Sequence, residues 1–283
     1  MPELPEVEVL KRHLAPLLRG KVVRDVAVRK AKVLRPTTES DLRAALVGAK
    51  FNGLDRRGKY LVFTLSRPHR HEPLTVTGHL GMTGRMFLQP KAMALPKHAV
   101  VVLDLGRHVF VYEDPRQFGR FTLDDSAVSA LGPEPWDEEF SVAAFTAALR
   151  RSAQAIKVKL LDQSLVAGIG NIYASEALFR AGVSPRRAAR RVKMEEAARL
   201  HAAIRAVLAE AIECGSTIPL DFGGGGKRDG LFYYGAVEGE SKFYQERLLV
   251  YDRAGQPCVK CATPIRRFVQ AARSTFCCPQ CQR

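Results

Sequence analysis

Apolar and polar positions follow two different periods along the chain. Near the N-terminus, apolar residues recur every three or four positions and predict a helix that Pro16 and Gly20 close. The residues of this stripe are Val7, Leu10, Leu14 and Leu17, with Pro5 in the first turn. Alternating runs then predict strands at Val22–Val28, Tyr60–Leu65, Leu74–Thr77, Met86–Leu88, Val100–Leu105, Val109–Tyr112 and Arg120–Leu123. Gly106 and Arg107, between Leu105 and His108, predict a hairpin turn. Short strands separated by turn residues indicate an antiparallel sandwich or barrel.

After a proline- and glycine-rich linker at 132–135 the period becomes helical. Ser141 predicts the cap of a helix that runs to Leu149, and a second helix is predicted over Ala153–Leu165. A long helix that ends at Cys214 and Gly215 carries an apolar stripe of Leu200, Ile204, Val207, Leu208, Ala211 and Ile212. The glycine density of residues 216–240 predicts a mobile loop.

Composition and charge narrow the class of protein. The chain has 283 residues, more than one compact core usually holds, so we expect two or three structural units. Lysine and arginine number 44 against 29 acidic residues, and the net charge of +15 suits a polyanion such as nucleic acid. The chain contains no apolar run of the roughly 18 residues that a membrane helix needs, and its acidic, proline-broken start is unlike a secretory signal. We therefore expect a cytosolic protein that binds nucleic acid.

Five of the six cysteines lie in the last 26 residues. Cys258 and Cys261 form one C-x2-C pair, and Cys278 and Cys281 form another sixteen residues later. This spacing predicts a structural zinc site of four thiolates, and it is favoured over disulfides because the cytosol is reducing. Cys277 competes with Cys278, but only Cys278 has the two-residue spacing to Cys281.

The segment between the two cysteine pairs predicts two short strands joined by a turn, which is a zinc ribbon. Arg273 would lie near the tip of this hairpin, where a guanidinium can bind a phosphate with two hydrogen bonds.

The N-terminal sequence Met1-Pro2-Glu3-Leu4-Pro5-Glu6-Val7-Glu8 resembles the start of the formamidopyrimidine-DNA glycosylases, bifunctional repair enzymes that remove oxidised purines. Further blocks resemble the same family in the same order. They are His79-Leu80-Gly81-Met82-Thr83-Gly84, Asp114-Pro115-Arg116-Gln117-Phe118-Gly119, a helix–two-turns–helix motif over Leu161–Glu176, and the zinc ribbon.

The resemblance implies an α+β fold: an N-terminal antiparallel β-sandwich with a leading helix, a helical helix–two-turns–helix domain and a C-terminal zinc ribbon. We expect the catalytic domain over 1–131, the DNA-binding domain with a base-capping loop at Phe222–Gly239 over 132–240, and the zinc domain over 241–283. One structural zinc ion is the only cofactor expected. The expected partner is double-stranded DNA with a damaged base or an abasic site, bound by a monomer in the bacterial cytosol or nucleoid.

The resemblance also assigns the catalytic residues. Once Met1 is removed, Pro2 offers a secondary amine that is partly unprotonated near neutral pH and can attack the sugar to form a Schiff base. Glu3 is the implied general acid–base, and Lys59 is implied to lie beside the lesion phosphate. Glu6 lies one helical turn further on, near the helix N-terminus, where a carboxylate is favoured, and we expect it to orient the amine or a water. Arg56 and Arg57, just before Lys59, are expected to be solvated.

Other residues are implied to bind DNA without taking part in the chemistry. His98, Asn171 and Arg273 would contact phosphates, helped by the backbone at Gly168 and Gly170. Residues that fill the gap left by a flipped nucleotide are Met82, Arg116 and Phe118. Glu176 takes a position near the lesion pocket.

Taken alone, Glu3 and Glu6 are typical of any helix N-terminus, and Met82 and Phe118 are typical of a core; the ordered blocks favour the functional interpretation. Two alternatives to an oxidised-purine glycosylase remain. One is an endonuclease VIII-like glycosylase for oxidised pyrimidines. The other is a catalytically silent, zinc-dependent DNA-binding protein that keeps Met1.

Overall fold

The computed structural model describes residues 2–68, 72–215 and 247–283. Met1, His69, His71 and the glycine-rich segment predicted to be a mobile, base-capping loop lie outside these residues. The chain forms two compact units. The first, called the sandwich unit, consists of Pro2 and Glu6–Ser129; the second, called the helical unit, consists of Glu3–Pro5 and residues 130–215 and 247–283. In the described residues, no helix is both long and apolar enough to cross a membrane.

The sandwich unit is built from helix α1 (Leu4–Leu18, from Glu6 onward) and two antiparallel sheets. Its strands are β1 (Asp25–Val28), β2 (Lys50–Arg57), β3 (Tyr60–Ser66), β4 (Leu74–His79), β5 (Arg85–Pro90), β6 (Ala99–Asp104), β7 (His108–Glu113) and β8 (Arg120–Thr122). The strand orders are β1-β6-β7-β5 and β2-β3-β4-β8. Phe63 of one sheet meets Phe110 of the other with ring centroids 5.7 Å apart, so the core lies between the sheets as in a sandwich.

The described part of the sandwich unit also contains two short α-helices. They are α2 (Glu39–Leu46) and α3 (Ser126–Ser129). The hydroxyl of Thr38 caps α2 by accepting the Asp41 N–H at 3.1 Å. Neither α2 nor β2 was predicted. The strand was missed because a bulge between Phe51 and Gly53 interrupts its alternation, and the helix because it is only eight residues long.

Of the two residues predicted to close the first helix, Gly20 is confirmed, with φ 80° just after the helix end, whereas Pro16 is wrong because α1 continues to Leu18. Leu18 is buried and continues the stripe of Leu10 and Leu14, whereas Leu17 is only partly buried. The predicted hairpin between the strands now labelled β6 and β7 is confirmed, with Gly106 at φ 98° in the turn.

Four α-helices lie in the described residues of the helical unit. They are α4 (Val142–Arg150), α5 (Ile156–Leu160), α6 (Asn171–Ala181) and α7 (Met194–Glu213). The Ser141 cap and the long helix α7 are confirmed, and the Ser141 hydroxyl accepts the Ala144 N–H at 3.2 Å. The helix predicted over Ala153–Leu165 is wrong in its extent, because the Asp162 carboxylate accepts the Ser164 N–H at 3.0 Å and closes a turn there.

The zinc ribbon is confirmed as two antiparallel strands, β9 (Arg266–Gln270) and β10 (Arg273–Cys277). Arg273 pairs with Gln270 beside the hairpin tip, where Ala271 and Ala272 take positive φ angles of 45° and 59°. The α+β class predicted from the sequence is therefore confirmed, with sheets in one unit and helices plus a ribbon in the other.

Candidate active site and DNA-binding surface

Glu3 is buried in the helical unit, where its carboxylate lies at the N-terminus of α6. It accepts the Gly170 N–H at 2.6 Å, the Ile172 N–H at 2.9 Å and the Tyr173 N–H at 3.5 Å. The first N–H groups of a helix have no partner within the helix and stabilise a bound anion. The carboxylate of Glu3 therefore has a fixed position, one residue after Pro2.

Two glycines before α6 make room for the N-terminal segment. A side chain at Gly168 would place its Cβ 2.5 Å from Leu4 Cδ1, and φ there is +94°. A side chain at Gly170 would overlap the Glu3 carboxyl group. Leu4 also donates its N–H to the Gly168 carbonyl at 3.0 Å. These glycines thus receive residues 3 and 4, and their predicted contact with a phosphate stays a prediction.

Asn171 and Arg273, predicted to bind phosphate together, lie close in the helical unit. Asn171 Nδ2 donates to the Ser274 carbonyl at 2.9 Å, and Ser274 directly follows Arg273, whose side chain is exposed. Asn171 Oδ1 is buried and has no hydrogen-bond partner among the described residues. Lys59 belongs to the sandwich unit, and its predicted place beside the lesion phosphate stays a prediction.

Lys157 is a site residue that the sequence analysis missed. It is 1% exposed, and its ammonium donates to the Ser274 carbonyl and to Thr275 Oγ1, each at 2.8 Å. Burial lowers the pKa of Lys157 to about 8; Arg273 adds to this effect and Glu3 opposes it. A buried lysine with a shifted pKa is a candidate for function as well as structure. The sequence signal that could have identified Lys157 is a lysine at a core position of the apolar segment Ile156–Leu160.

Glu176 is the second buried carboxylate of this unit. It accepts the backbone N–H groups of Leu249 at 2.9 Å, Val250 at 3.0 Å and Tyr251 at 2.8 Å. Burial raises the pKa of Glu176 although these donors and Arg180 oppose the change. Glu176 thus fastens α6 to the segment that leads into the ribbon, and its predicted place near a lesion pocket stays a prediction.

Lys59 lies in the β2–β3 hairpin turn of the sandwich unit, after Gly58 at φ 55°, and is 8% exposed. The expectation that Arg56 is solvated is wrong. Its side chain is 9% exposed, donates to Glu8 Oε2 at 3.0 Å and to the Gly58 carbonyl at 3.0 Å, and so braces the turn. Burial raises the pKa of Glu8, but hydrogen bonds from Arg12 and Arg56 outweigh burial and lower it.

His79 lies beside this turn and was not singled out from the sequence. It is the register partner of Tyr60, with ring centroids 4.7 Å apart, and its Nδ1 accepts the Gly81 N–H at 3.1 Å. Burial and the charges of Lys59 and Arg120 lower the pKa of His79 to about 4, against the opposing charge of Asp114. A neutral imidazole therefore joins the Lys59 turn to the loop that carries Met82.

Met82 and Phe118, predicted to fill the gap in the base stack, are 45% and 49% exposed. Their two loops touch at Gly81, where a Cβ would lie 2.6 Å from the Gly119 nitrogen. The Arg116 guanidinium lies 4.6 Å from the centroid of the Phe118 ring. The sandwich unit therefore brings Met82, Arg116 and Phe118 together.

Asp114, buried and not assigned a role from the sequence, holds both of these loops. Oδ1 accepts from Thr83 Oγ1 at 2.9 Å and from the Arg116 N–H at 3.2 Å. Oδ2 accepts from the Gly119 N–H at 2.9 Å and from the Tyr112 hydroxyl at 3.3 Å. One carboxylate thus fixes the loop of Met82 relative to the loop of Phe118.

The remaining predicted residues occupy the same unit. His98 is exposed, and its carbonyl accepts the Asp114 N–H at 3.1 Å, which places it next to the second loop. Glu6 is buried in α1, and Pro2 is buried as well. Their predicted roles stay predictions.

The four predicted zinc ligands, Cys258, Cys261, Cys278 and Cys281, form a cluster in which all Sγ atoms lie within 4.8 Å of one another. Neighbouring Sγ atoms are 3.4–3.9 Å apart. Tetrahedral zinc with Zn–S bonds of about 2.3 Å needs sulfurs about 3.8 Å apart. Backbone N–H groups of Lys260 and Cys281 also point at Sγ atoms, each at 3.4 Å. The cluster therefore fits one structural zinc ion, whereas Cys277 is no part of it.

Comparisons with known proteins agree with this geometry. The formamidopyrimidine-DNA glycosylase N-terminal domain matches residues 1–121, the H2TH domain of that glycosylase matches 131–221, and the zinc finger found in FPG and IleRS matches 255–283. The formamidopyrimidine-DNA glycosylase of Carboxydothermus hydrogenoformans is 40% identical over the full length of both chains.

Solved structures give the same result. Lactococcus lactis Fpg bound to an N7-benzyl-Fapy-dG containing DNA is 30% identical, with a TM-score of 0.87 and full coverage of both chains. The same protein with an abasic-site containing DNA is 29% identical, with a TM-score of 0.86 and 99% coverage of both chains. The chain belongs to the formamidopyrimidine-DNA glycosylase family.

Proposed function

We propose that this chain is a bifunctional DNA glycosylase and abasic-site lyase that removes oxidised purines, namely formamidopyrimidines and 8-oxoguanine, from double-stranded DNA. Family membership supports the proposal, as do the Fapy-dG and abasic-site DNAs bound by its structural neighbours. The observation that carries it is the buried Glu3 carboxylate, held by three backbone N–H groups directly after Pro2.

The proposed chemistry begins after removal of Met1. The Pro2 amine attacks the anomeric carbon of the damaged nucleotide, and the bond to the base breaks with its electron pair leaving on the base. The N–H proton of Pro2 passes to Glu3, and the departing base takes a proton from water. Glu3 gives a proton to the sugar-ring oxygen, the ring opens, and an iminium forms between Pro2 and the sugar. Loss of a proton from C2′ then expels the 3′ phosphate, and loss of a further sugar proton expels the 5′ phosphate. Water hydrolyses the remaining iminium and frees the amine.

DNA binding uses groups from both units in this proposal. Lys59, His98, Asn171 and Arg273 bind phosphates, while Met82, Arg116 and Phe118 occupy the gap in the stack. The proposed functional division is a catalytic domain over 1–131, a DNA-binding domain over 132–240 and a zinc domain over 241–283 in a monomer of the bacterial cytosol or nucleoid. The zinc ion holds the ribbon together and takes no part in the chemistry.

Borohydride trapping tests the proposal, because borohydride reduces an iminium to a stable covalent adduct. Duplexes carrying 8-oxoguanine, an oxidised pyrimidine or an abasic site are compared, and mass spectrometry identifies the attached residue. We expect an adduct through Pro2 that forms faster on 8-oxoguanine than on the pyrimidine. The Pro2→Gly variant should lose cleavage by a factor on the order of 10³ or more and keep its affinity for DNA.

The other possible results of these experiments each support a different conclusion. A faster adduct on the oxidised pyrimidine would support an endonuclease VIII-like specificity. DNA binding without any adduct on the three duplexes would support the silent DNA-binding protein. Unchanged cleavage by the Pro2→Gly variant would remove Pro2 as the nucleophile.

A further inference from the structure

The sandwich unit contains a short basic segment to which the proposed function assigns no role. Its exposed cations are Arg29, Lys30, Lys32 and Arg35, called here the basic strip. Residues 26–38 contain no aspartate or glutamate. Within the part of the chain that the structure describes, none of the four cations forms an ion pair with a carboxylate. The strip is therefore a concentrated positive charge that the residues described by the structure do not neutralise.

The backbone of the basic strip is held in place on both sides. At its start, the Arg29 N–H donates to the Val100 carbonyl at 2.8 Å. At its centre, Val33 and Leu34 are fully buried in the core. After its end, Thr37 Oγ1 accepts the Leu123 N–H at 3.0 Å. Four charged side chains are thus presented from a fixed backbone, which suits recognition better than a loose, solvated loop does.

Lys32 connects the strip to the residues proposed to fill the gap in the base stack, Met82, Arg116 and Phe118, which are called here the wedge. Its Nζ lies 5.8 Å from the centroid of the Phe118 ring, and the Arg116 guanidinium lies 4.6 Å from the same ring. Contacts between a cation and an exposed ring stabilise a protein only weakly, so they do not by themselves account for a half-exposed phenylalanine between two cations. A ring flanked by positive charge is, however, suited to enter a base stack whose strand carries phosphates.

We infer that the basic strip binds phosphates of the undamaged DNA strand next to the orphaned base, with Lys32 as its innermost contact. The inference rests on the proposed function, in which Arg116 and Phe118 occupy the gap opposite that base. Duplex DNA carries one negative charge per about 1.7 Å of its axis, so an ammonium about 6 Å from an inserted ring lies within reach of a phosphate. The strip would then determine how firmly the strand opposite the lesion is held while the damaged nucleotide is flipped.

The Lys32→Ala variant tests the contact. The Kd for a duplex with an uncleavable abasic-site analogue is measured between 50 and 200 mM salt. Each lost phosphate contact makes the slope of log affinity against log salt less negative by about 0.9. We expect that change, with binding on the order of fivefold weaker at 50 mM salt, and we expect Lys32→Arg to restore the slope.

Lys21→Ala is the matched control. Lys21 is also an exposed lysine of the sandwich unit, but it follows the far end of α1, a helix of 15 residues and hence about 22 Å long. This variant should bind with the slope of the unchanged protein. Equal slopes for Lys32→Ala and Lys21→Ala would overturn the inference.

Neutral methylphosphonates assign the strand. Placed beside the orphaned base, a methylphosphonate should weaken binding by the unchanged protein to the level of Lys32→Ala and leave that variant unaffected. If only a methylphosphonate in the damaged strand removes the difference, the assignment to the undamaged strand is wrong.

Borohydride trapping of the unchanged protein on a cleavable abasic duplex runs in parallel. Normal trapping with an unaltered Lys32→Ala slope overturns the inference and leaves the proposed function standing. Absence of trapping refutes the proposed function, and with it the placement of the strip beside an orphaned base, even if the slope changes.

Discussion

Each unit has a buried carboxylate that helps to position a candidate functional group. The two carboxylates differ in how far along the chain their hydrogen-bond donors lie. In the sandwich unit, Asp114 accepts from Thr83, Arg116 and Gly119, which are 31, 2 and 5 residues away. In the helical unit, the donors to Glu3 lie 167, 169 and 170 residues further along the chain, at the start of α6. Both carboxylates use neutral N–H or O–H donors, but only Glu3 takes all of its donors from a segment that is far away along the chain.

The difference shows what a buried charge does in each place. Burying a carboxylate away from water costs several kcal/mol unless several hydrogen-bond donors surround it. Because the buried carboxylate needs these donors, the residues that carry them are held in place as well. Around Asp114 the fixed groups are two loops whose tips stay exposed. Around Glu3 the fixed group is the carboxylate itself, in the residue after Pro2. The first arrangement shapes a surface, whereas the second holds the group to which the proposed function gives the proton transfer.

The largest effect on stability is expected from changes in the zinc cluster. The ribbon of the helical unit depends on contacts between residues far apart in sequence, such as Cys258 and Cys281, which are 23 residues apart. The Cys278→Ser variant should lose most of its single zinc ion and unfold the ribbon, since zinc sites of this kind contribute about 10 kcal/mol. Metal analysis gives the stoichiometry, and amide hydrogen exchange should show lost protection over 258–283 with little change in the sandwich unit.

Cys277→Ser is the control, because this neighbouring thiol is buried but lies outside the cluster. It should keep about one zinc ion per chain. Equal zinc loss in the two variants would show that the ligand assignment is wrong.

Glu3→Gln tests the long-range carboxylate. The amide keeps the size of the side chain but turns an NH₂ group toward backbone donors, so we expect the free energy of unfolding to fall by about 1–3 kcal/mol. Loss of proton transfer should slow base release from an 8-oxoguanine duplex by about 10²- to 10⁴-fold in single-turnover measurements.

Glu39→Gln, an exposed substitution in the first turn of α2, should change neither quantity. A Glu3→Gln variant that is destabilised but releases the base at the original rate would reduce Glu3 to a structural residue.

Asp114→Asn tests the local carboxylate and should act on the surface it shapes. Two of its donors lose an acceptor, so we expect a loss of about 1–3 kcal/mol in stability. Misplaced Met82 and Phe118 should slow base release from a paired lesion about tenfold, because nucleotide flipping is then poorly supported. Trapping on a single-stranded abasic site, which needs no flipping, should be unchanged.

Fluorescence of 2-aminopurine opposite the lesion reports whether the wedge enters the stack. Asp125→Asn, an exposed change in the same unit, is the control. Equal losses on the paired lesion and the single strand would mean that Asp114 does not act through the wedge.

The same contrast explains what the sequence could predict. The ribbon and the β6–β7 turn follow from spacings of a few residues, and their prediction succeeded without any knowledge of distant contacts. The N-terminal block was recognised by resemblance alone, because nothing near Glu3 in sequence indicates that Gly170 and Ile172 will hold it. Local patterns predict local structure, and only a family pattern carries the long-range pairing.

Buried polar residues account for most of what was missed. Lys157 and Arg56 are ordinary basic residues in sequence, yet one is buried against Thr275 and the other against Glu8. Asp114 stands in a recognised block, but its role depends on a hydroxyl in another block, that of Thr83. A single sequence shows which residues are polar, whereas burial is decided by elements that meet only after folding.

A loss of stability confined to acidic pH is expected from His79, which adds a pH-dependent link to the loops that Asp114 holds. Its pKa is lowered to about 4 in the folded protein, chiefly by burial, against an ordinary value of 6.5. As the pH falls from 6.5 to 4, the unfolded chain therefore takes up a proton that the folded chain does not, and the free energy of unfolding decreases. The loss approaches about 3 kcal/mol near pH 4 and levels off below it, where both states are protonated. Urea unfolding between pH 4 and 7 should show this slope in the unchanged protein and in the exposed variant His98→Gln, but not in His79→Gln. A slope that persists in His79→Gln would assign the acid sensitivity to other groups and leave the two loops held by Asp114 alone.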